Sequence, residues 1–276
     1  MKKVCHVLIA YGKKNQKYTT NLLNNLNNSN KNYHFVFCHN KLIDSKNIDV
    51  IQSKNLSLIK FFFIFIILYF KDNDFKILYR NLGLRNIHKW SELISTEMDV
   101  IHIHHLHSLP KHVIVYLKKK DIRLIASLRG RDLLINIKNQ SNAEEFYHKL
   151  KYMTEIHTVS NHMATILNSS LKLDSKIIYR GIQMPDKFNV KKSNVTAGNI
   201  KAIAVGRLVW EKGHIYLIES ISRLLSRGYI VKLDIYGDGP LREFLNFRIT
   251  QLGLNNFISL KGYVENNKLK PLYKNY

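Results

Sequence analysis

The sequence predicts an α/β fold made of two open parallel sheets, on two observations. Short apolar runs rich in β-branched residues alternate with segments whose apolar residues recur at helical spacing, which is typical of strands joined by right-handed helical crossovers. The alternation lapses over residues 184–199, which contain a proline, a glycine and little periodicity, and then restarts. We therefore expect an N-terminal domain over residues 1–183, a linker over 184–199 and a partial second domain over 200–276.

In the first domain, six strands and four helices are expected in alternation. The strands are Val4–Ala10, Tyr33–Cys38, Val100–His104, Ile122–Ser127, Glu155–Val159 and Lys176–Tyr179. The helices are Thr19–Asn27, Leu109–Lys119, Ala143–Met153 and Asn161–Leu167. The first apolar run has basic residues before it, as a signal peptide does, but it ends without a small-residue cleavage site, so we interpret it as a core strand.

The apolar run Phe61–Phe70 is the one segment that suggests a membrane. It has ten residues, whereas a helix that crosses a bilayer needs about 20. We therefore expect a buried helix. The second interpretation is a helix at an anionic membrane surface, because seven Lys and Arg residues against two Asp lie between residues 54 and 89.

In the second domain, three strands and two helices follow in order, with a further helix starting near Glu265. They are Lys201–Val205, Ile215–Leu225, Ile230–Tyr236, Leu241–Leu252 and Asn256–Leu260. A doubly wound sheet usually has five or six strands, so we expect the chain to be truncated relative to its relatives.

The composition is that of a globular protein, with 45% hydrophobic and 23% charged residues, which excludes a wholly disordered chain. The formal net charge is +23, which is compatible with an anionic partner. Cys5 and Cys38 both lie in apolar runs, and we expect buried free thiols in a reducing compartment.

Arg207 and Lys212 flank a loop between an apolar strand and an amphipathic helix. Gly206 ends the strand, and Gly213 precedes the helix. The N–H groups and the positive dipole end of a helix N-terminus bind anions, and a guanidinium and an ammonium add charged donors. The pattern predicts a site for the two phosphates of a nucleoside diphosphate. The alternative is a solvated basic loop.

Glycine-containing loops follow the next two strands as well. The residues concerned are Gly237 and Gly239 after the second strand, and Gly262, Tyr263 and Val264 after the third. Glycine allows a ligand to approach the backbone closely, and open α/β sheets bind ligands at the carboxyl ends of their strands. We expect these loops to complete the site, with the third one next to a nucleobase.

The segments GRLVWEKG (206–213), IYGDGPL (235–241) and LKGYV (260–264) together resemble the donor-binding half of retaining glycosyltransferases with the GT-B fold, the large family 4 type. Upstream, DVIHIHHLHS (99–108), ASLRGRDL (126–133), VSNHM (159–163) and IIYRGIQ (177–183) are similar to landmarks of that family's N-terminal domain. The resemblance implies two Rossmann-like domains that face each other across a cleft. It also implies retention at the anomeric carbon and no metal or other cofactor.

By this resemblance, Arg207 and Lys212 hold the diphosphate of a UDP- or GDP-linked sugar, and the backbone of Gly262–Val264 meets the nucleobase. On the acceptor side of the cleft the resemblance assigns Gly12, His104, Arg129 and Gly130. The family often has a histidine near the transferred sugar where this chain has Arg129, which makes Arg129 a candidate catalytic residue. Two glutamates of the family, seven residues apart, would follow the last helix, so the chain by itself is expected to turn over little or nothing.

His102, His104, His105 and His107 form a group for which three interpretations are open. They can line the cleft, lie on the surface at the end of a strand, or bind a metal, since His102 and His104 share one face of a strand. No Cys or carboxylate lies close enough in the sequence to complete a metal site, so we expect none.

Three hypotheses for the function follow. The first is transfer of a hexosyl unit to a glycan or lipid-linked acceptor in cell-surface polysaccharide or lipopolysaccharide synthesis, in the cytoplasm or at the inner membrane face. The second is a non-catalytic remnant of the same fold. The third is a basic module that binds nucleic acid or anionic lipid, but no stacking or helix-turn-helix motif supports it, and nucleic acid is not an expected partner.

Overall fold

The computed structural model describes residues 1–11, 17–27, 32–42, 48–53, 56–138, 140–181 and 200–276. The chain divides into two compact units, Met1–Ile182 and Gln183–Tyr276. The predicted linker over 184–199 lies outside the described residues, as does Gly12.

The described residues of unit 1 form a parallel sheet of seven strands with helices between them. The strands are β1 (Lys2–Tyr11), β2 (Asn32–Lys41), β3 (Asp49–Gln52), β4 (Val100–Ile103), β5 (Arg123–Leu128), β6 (Glu155–Thr158) and β7 (Lys176–Ile177). The helices are α1 (Lys17–Asn27), α2 (Leu58–Lys71), α3 (Asn73–Ser95), α4 (Lys111–Lys119), α5 (Arg131–Lys138), α6 (Gln140–Lys151) and α7 (Asn161–Leu171). The six predicted strands and four predicted helices are confirmed, whereas β3, α3 and α5 were not predicted.

The strand order in unit 1 is β3-β2-β1-β4-β5-β6-β7. The chain therefore moves outward from β1 in one direction, returns, and continues from β4 in the other. This reversal creates a topological switch point between the carboxyl ends of β1 and β4, where open α/β sheets bind ligands.

Unit 2 is a parallel sheet of three described strands in the order β10-β9-β8. The strands are β8 (Ile200–Val205), β9 (Val231–Tyr236) and β10 (Ile258–Gly262), and the helices are α8 (His214–Ser226), α9 (Arg242–Gln251) and α10 (Asn266–Leu272). Its core is separate from that of unit 1 and includes Leu208, Ile218, Leu233 and Leu245. The α/β fold with two parallel sheets is confirmed, and the expectation that the second domain is incomplete stays a prediction.

Helix α2 corrects the expectation of a buried helix over Phe61–Phe70. Of its residues only Phe61 is buried, and Phe63 and Phe70 are 68% and 74% exposed. The run is apolar on all sides of the helix, but α3 and the core of unit 1 cover only one face of α2. Within the described residues, no helix combines the length and apolar character needed to cross a membrane.

Asp72 fixes the turn between α2 and α3. Its carboxylate accepts hydrogen bonds from the backbone N–H groups of Asp74 (3.0 Å) and Phe75 (3.2 Å) and so caps the N-terminus of α3. The same carboxylate accepts from the hydroxyl of Tyr116 (2.8 Å) and pairs with Lys120 (2.7 Å) on the α4 side. These hydrogen bonds hold the pKa of Asp72 below its usual value, although burial opposes the shift.

Cys5 and Cys38 are buried free thiols, as predicted. Burial raises the pKa of the Cys5 thiol to about 12. A thiol in this state is a poor nucleophile because the reactive species is the thiolate.

Candidate functional site

The three glycine loops of unit 2 meet at the carboxyl edge of its sheet. The N–H of Gly206 donates to the carbonyl of Tyr236 (2.9 Å), and the N–H of Leu208 donates to the carbonyl of Asp238 (3.0 Å). The N–H of Gly237 donates to the carbonyl of Gly262 (2.8 Å). The structure therefore brings together backbone that the sequence separates by more than fifty residues.

Gly237 and Gly239 are required by the contact between the first two loops. Gly237 has φ +148°, and a Cβ there would overlap the carbonyl oxygen of Gly206. Gly239 has φ +159°, and a Cβ there would lie 2.5 Å from the carbonyl oxygen of Leu208. The absent side chains admit the backbone of the neighbouring loop, and their predicted contact with a ligand stays a prediction.

Arg207 and Lys212 are both exposed at this edge. A short 3-10 helix, Trp210–Lys212, lies between the loop and α8, and Gly213 in a left-handed conformation (φ +65°) connects the two helices. The first N–H groups of α8 therefore begin at His214, directly after Lys212 and Gly213. This gives two cations near a helix N-terminus, the combination that favours a bound diphosphate.

His214 holds the basic loop in place and was missed by the sequence analysis. Its ring is buried, and Nε2–H donates to the carbonyl oxygen of Arg207 at 3.2 Å. A Cβ on Gly206 would lie 3.5 Å from the same nitrogen. The helix thus fixes the backbone from which the Arg207 side chain extends.

Tyr263 and Val264 follow β10 at the third loop. Tyr263 is 56% exposed, and Gly262 has φ +79°, the left-handed region that favours glycine. An exposed ring at this edge offers a stacking surface, but a contact with a nucleobase stays a prediction.

A depression of about 400 Å³ lies elsewhere in unit 2. It is lined by residues that include Lys201, Lys232, Lys261, Asp234 and Tyr276. None of the predicted donor-binding residues lines it. It is therefore separate from the site that the three loops form.

In unit 1, a chain of hydrogen bonds starts from Arg129 at the switch point. Its guanidinium donates to Oγ1 of Thr19 on α1 (2.9 Å) and to Nδ1 of His104. Nε2 of His104 is 3.0 Å from Nδ1 of His6, and Nε2 of His6 is 3.0 Å from Nδ1 of His34. Because a guanidinium can only donate, each neutral ring accepts at Nδ1 and donates from Nε2, so Arg129 sets the tautomer of all three histidines.

A second series of hydrogen bonds starts at β6. The carbonyl of Ile178 accepts from Nε2–H of His157 (3.0 Å), so the neutral His157 ring accepts at Nδ1 from the hydroxyl of Ser127 (2.8 Å). Ser127 in turn accepts from Nε2–H of His102 (2.7 Å). The two chains meet where the rings of His102 and His104 lie 4.1 Å apart.

Burial keeps the three central histidines neutral. It lowers the pKa of His102 to about 3 and the pKa values of His6 and His104 well below their ordinary values, and the charge of Arg129 adds to each shift. His104 has no exposed surface, so the strand-end surface interpretation is wrong for it, while His107 is exposed. The sequence signal was available for His102 and His104, but His6, His34 and His157 stand singly in separate strands.

The ring nitrogens of His6, His102 and His104 also come within 4.8 Å of one another, as metal ligands do. However, His6 and His104 already hydrogen-bond to each other, and Arg129 donates to His104. A divalent cation would have to break these hydrogen bonds beside a permanent positive charge. The donor set therefore suits a hydrogen-bonded network better than a metal.

The other two predicted acceptor-side residues are Gly130 and Gly12. Gly130 follows Arg129 with φ +108°, and nothing lies within 4 Å of a Cβ placed there. Gly12 lies outside the described residues, directly after β1. Of the four predicted acceptor-side residues, the structure joins His104 and Arg129 by a hydrogen bond.

Comparisons with known proteins agree with this architecture. The family described as Glycosyl transferases group 1 matches residues 186–276, which contain every predicted donor-binding residue. An uncharacterized glycosyltransferase of Methanocaldococcus jannaschii is 30% identical over 138 residues, 46% of this chain and 35% of that protein. Protein CapJ of Staphylococcus aureus is 35% identical over 85 residues, 30% of this chain and 21% of that protein. The chain thus spans about a third or less of these relatives.

Three solved structures share the fold. The lipopolysaccharide outer core galactosyltransferase WaaB is 17% identical, with a TM-score of 0.60 over 99% of this chain and 71% of that chain. Anabaena HepE in complex with UDP and glucose is 16% identical, with a TM-score of 0.60 over 96% and 70%. TarM is 11% identical, with a TM-score of 0.62 over 99% and 79%.

The fold is therefore that of the GT-B glycosyltransferases, and the resemblance seen in the sequence is confirmed. Residues 186–276, about a third of the chain, match the Glycosyl transferases group 1 family, and the glycosyltransferase of Methanocaldococcus jannaschii is similar over part of the chain.

Proposed function

We propose that the protein transfers a sugar from a UDP- or GDP-linked donor to a glycan or lipid-linked acceptor, with retention of anomeric configuration. The group 1 domain and the glycosyltransferase relative support sugar transfer. A HepE structure contains UDP-glucose, which makes UDP the first nucleotide to test. WaaB, whose fold this chain shares, is a lipopolysaccharide outer core galactosyltransferase, and by analogy we propose an acceptor in cell-surface polysaccharide synthesis. The location of the reaction at the cytoplasmic side of the inner membrane is part of the same proposal.

The observation that carries the proposal is the position of Arg207 and Lys212 beside the N-terminus of α8, at the edge where the three loops of unit 2 meet. Cleavage of the bond between sugar and diphosphate leaves negative charge on the departing nucleotide. The two cations and the helix N–H groups would stabilise that charge as it develops. Lys212 supplies a point charge and Arg207 a forked donor for two phosphate oxygens.

Arg129 is the proposed contributor from unit 1. Its guanidinium is held between Thr19 and His104 at the switch point, and it is partly exposed. In this position we propose that it stabilises oxygens of the phosphate or the transferred sugar. Since the neighbouring histidines are neutral, Arg129 provides the positive charge of the network.

Binding of UDP to the chain tests the donor site directly. In thermal unfolding and calorimetry, 1 mM UDP or GDP should raise the melting temperature. The double variant Arg207→Ala/Lys212→Ala should lose this shift and weaken binding at least tenfold, because two phosphate contacts are removed.

The matched control is Arg227→Ala/Lys232→Ala. It removes the same two charges from exposed positions at the opposite, amino edge of the same sheet, where α8 ends and β9 begins. The control should bind UDP like the wild type. No binding of either nucleotide, or equal losses in both double variants, would contradict the proposed donor site.

Turnover is measured separately, as release of UDP from UDP-sugars in the presence of a membrane glycolipid extract. The expectation of little or no turnover by this chain alone stays a prediction. Release of UDP from any UDP-sugar would rule out the non-catalytic alternative and would contradict the expected lack of turnover.

A further inference from the structure

Helix α2 presents two apolar faces, of which the protein covers one. Phe61, Phe65 and Leu68 pack against the core of unit 1 at the spacing of successive helical turns. The opposite side, which we term the outer face, is exposed. It consists of Ile59, Phe62, Phe63, Ile66, Ile67 and Phe70.

The outer face is too apolar for an ordinary solvated surface. Ile59 is 84% exposed, Phe63 68% and Phe70 74%, and all six residues follow one another along a single side of the helix. Single exposed apolar residues are normal, but continuous apolar patches mark contact surfaces. Four of its residues lie at i, i+3, i+4 and i+7 (Ile59, Phe62, Phe63 and Ile66), so the patch is continuous over the length of α2.

Positive charge borders this face. At about 100° per residue, Lys60 and Lys71 lie beside Ile67 along one edge of it. Arg80 and Arg85 of α3, the helix packed against α2, are exposed as well. Within the described part of the chain, none of these four cations forms an ion pair.

The nearby acids do not balance these cations. Asp72 pairs with Lys120 at 2.7 Å, and Asp74 pairs with Lys119 at 2.6 Å, so lysines of the α4 side neutralise both. The surroundings of the outer face therefore keep a positive charge, in a chain whose formal net charge is +23.

We propose that the outer face of α2 docks onto the surface of an anionic lipid bilayer. A helix of fourteen residues is about 21 Å long, so it would lie in the interface with its phenylalanine and isoleucine side chains among the acyl chains. Lys60, Lys71 and the α3 arginines would meet the lipid phosphates. A second copy of the chain fits less well, because a two-fold contact through this face would bring eight like charges together.

This inference deepens one part of the proposed function, the lipid-linked acceptor, but it is measured without donor or acceptor. Failure of vesicle binding would leave the nucleotide-binding result unaffected, and the reverse also holds.

Flotation of the full chain with lipid vesicles tests the proposal. Vesicles of 30% phosphatidylglycerol in phosphatidylcholine should bind the protein at 0.1 M salt, and pure phosphatidylcholine vesicles should bind it at least tenfold less. The variant Phe63→Ser/Phe70→Ser should reduce binding to the anionic vesicles at least tenfold. The control Phe244→Ser/Phe247→Ser, which removes two exposed phenylalanines from α9 (52% and 64% exposed), should not.

The charge contribution is tested by Lys60→Glu/Lys71→Glu against Lys138→Glu/Lys172→Glu. Both pairs are exposed and change the net charge equally, but the second pair lies on α5 and at the end of α7. Only the first should lose binding to anionic vesicles, at least tenfold. Equal losses in both would show attraction by net charge alone and would overturn the assignment to α2.

An environment-sensitive label reports the orientation. Because both native cysteines are buried, a nitrobenzoxadiazole label on Phe63→Cys is specific to that position. On anionic vesicles its fluorescence should shift to the blue and resist quenching by dithionite, whereas a label on Phe247→Cys should not change. An unchanged Phe63 label, or a dimer in solution that Phe63→Ser/Phe70→Ser dissociates, would overturn the proposal.

Discussion

The carboxyl edges of the two sheets are built from different groups. In unit 1, Arg129 and His104 at this edge connect to buried side chains, a row of neutral histidines that runs across the sheet and whose tautomers Arg129 sets. In unit 2 the edge rests on backbone, with glycines that let loops touch and with Arg207 and Lys212 exposed at the surface. Two similar parallel sheets therefore position their loops in different ways. Unit 1 depends on hydrogen bonds between neutral histidines, and unit 2 depends on the close backbone contact that glycines allow.

This contrast predicts different vulnerabilities. Protonation of a buried neutral histidine is unfavourable in the folded state, so acid should destabilise unit 1. Where two backbone segments are in close contact, replacing a glycine by alanine adds a methyl group that overlaps the neighbouring backbone. Such a substitution should destabilise unit 2.

Acid should destabilise unit 1. Below about pH 6.5, His6, His102 and His104 take up protons in the unfolded chain, whereas they stay neutral in the folded chain. The free energy of unfolding therefore falls as the pH drops from about 6.5 toward the lowered pKa values of the folded state. For His102 that pKa is about 3. Between pH 7 and pH 5 the expected loss is about 2 kcal/mol for each of these histidines.

Urea unfolding of Trp210→Phe at the two pH values measures this effect, because the remaining tryptophan, Trp90, is buried in unit 1. His102→Gln, whose amide can still donate to Ser127, should make the pH dependence shallower by up to about 1.4 kcal/mol per pH unit. Equal free energies of unfolding at pH 7 and pH 5 would show that the network does not set the stability.

Gly237→Ala should destabilise unit 2 by about 3 kcal/mol, because the new methyl group overlaps the carbonyl oxygen of Gly206. Its counterpart Gly130→Ala in unit 1 should cost about 1 kcal/mol, since only the positive φ is unfavourable and no atom is within 4 Å. Urea unfolding followed by Trp210 for the first and Trp90 for the second measures both. Equal losses of unfolding free energy in the two variants would mean that the loops of unit 2 move apart readily to accommodate the methyl group.

Arg129→Met should destabilise unit 1 at pH 7 by about 1 kcal/mol, as little as Gly130→Ala, because Nδ1 of His104 loses its donor. Removal of the charge should also raise the pKa values of His6, His102 and His104, so the dependence on acid should become weaker. Nitrogen-15 NMR of the rings of His6, His34 and His104 checks their tautomers, which should be Nε2–H in the wild type and mixed in the variant. Arg129→Lys, which keeps a donor and a charge, is the control.

Much of the fold could be predicted, because strand and helix periodicities are local. The three strands of unit 2 and six of the seven in unit 1 are confirmed. β3 was missed, and so was α3, which Gly83 interrupts with φ +72°. The loops with Arg207, Gly237 and Gly262 could also be predicted to share one edge, since the carboxyl ends of parallel strands do so.

The roles of particular residues were harder to predict. Gly237 and Gly239 were expected to admit a ligand, and the structure shows that they admit the neighbouring loop. His6 and His34 carry no signal in the sequence, because strand pairing alone brings them to His104.

By itself, the sequence determined the alternation of strands and helices, the resemblance to GT-B glycosyltransferases and the charged loop that ends β8, because each depends on neighbouring residues in the chain. Only the tertiary structure decided which side of α2 is covered and how the histidines connect to Arg129. An apolar helix has no local feature that specifies its partner, and a hydrogen-bonded row across a sheet exists only once distant strands are paired.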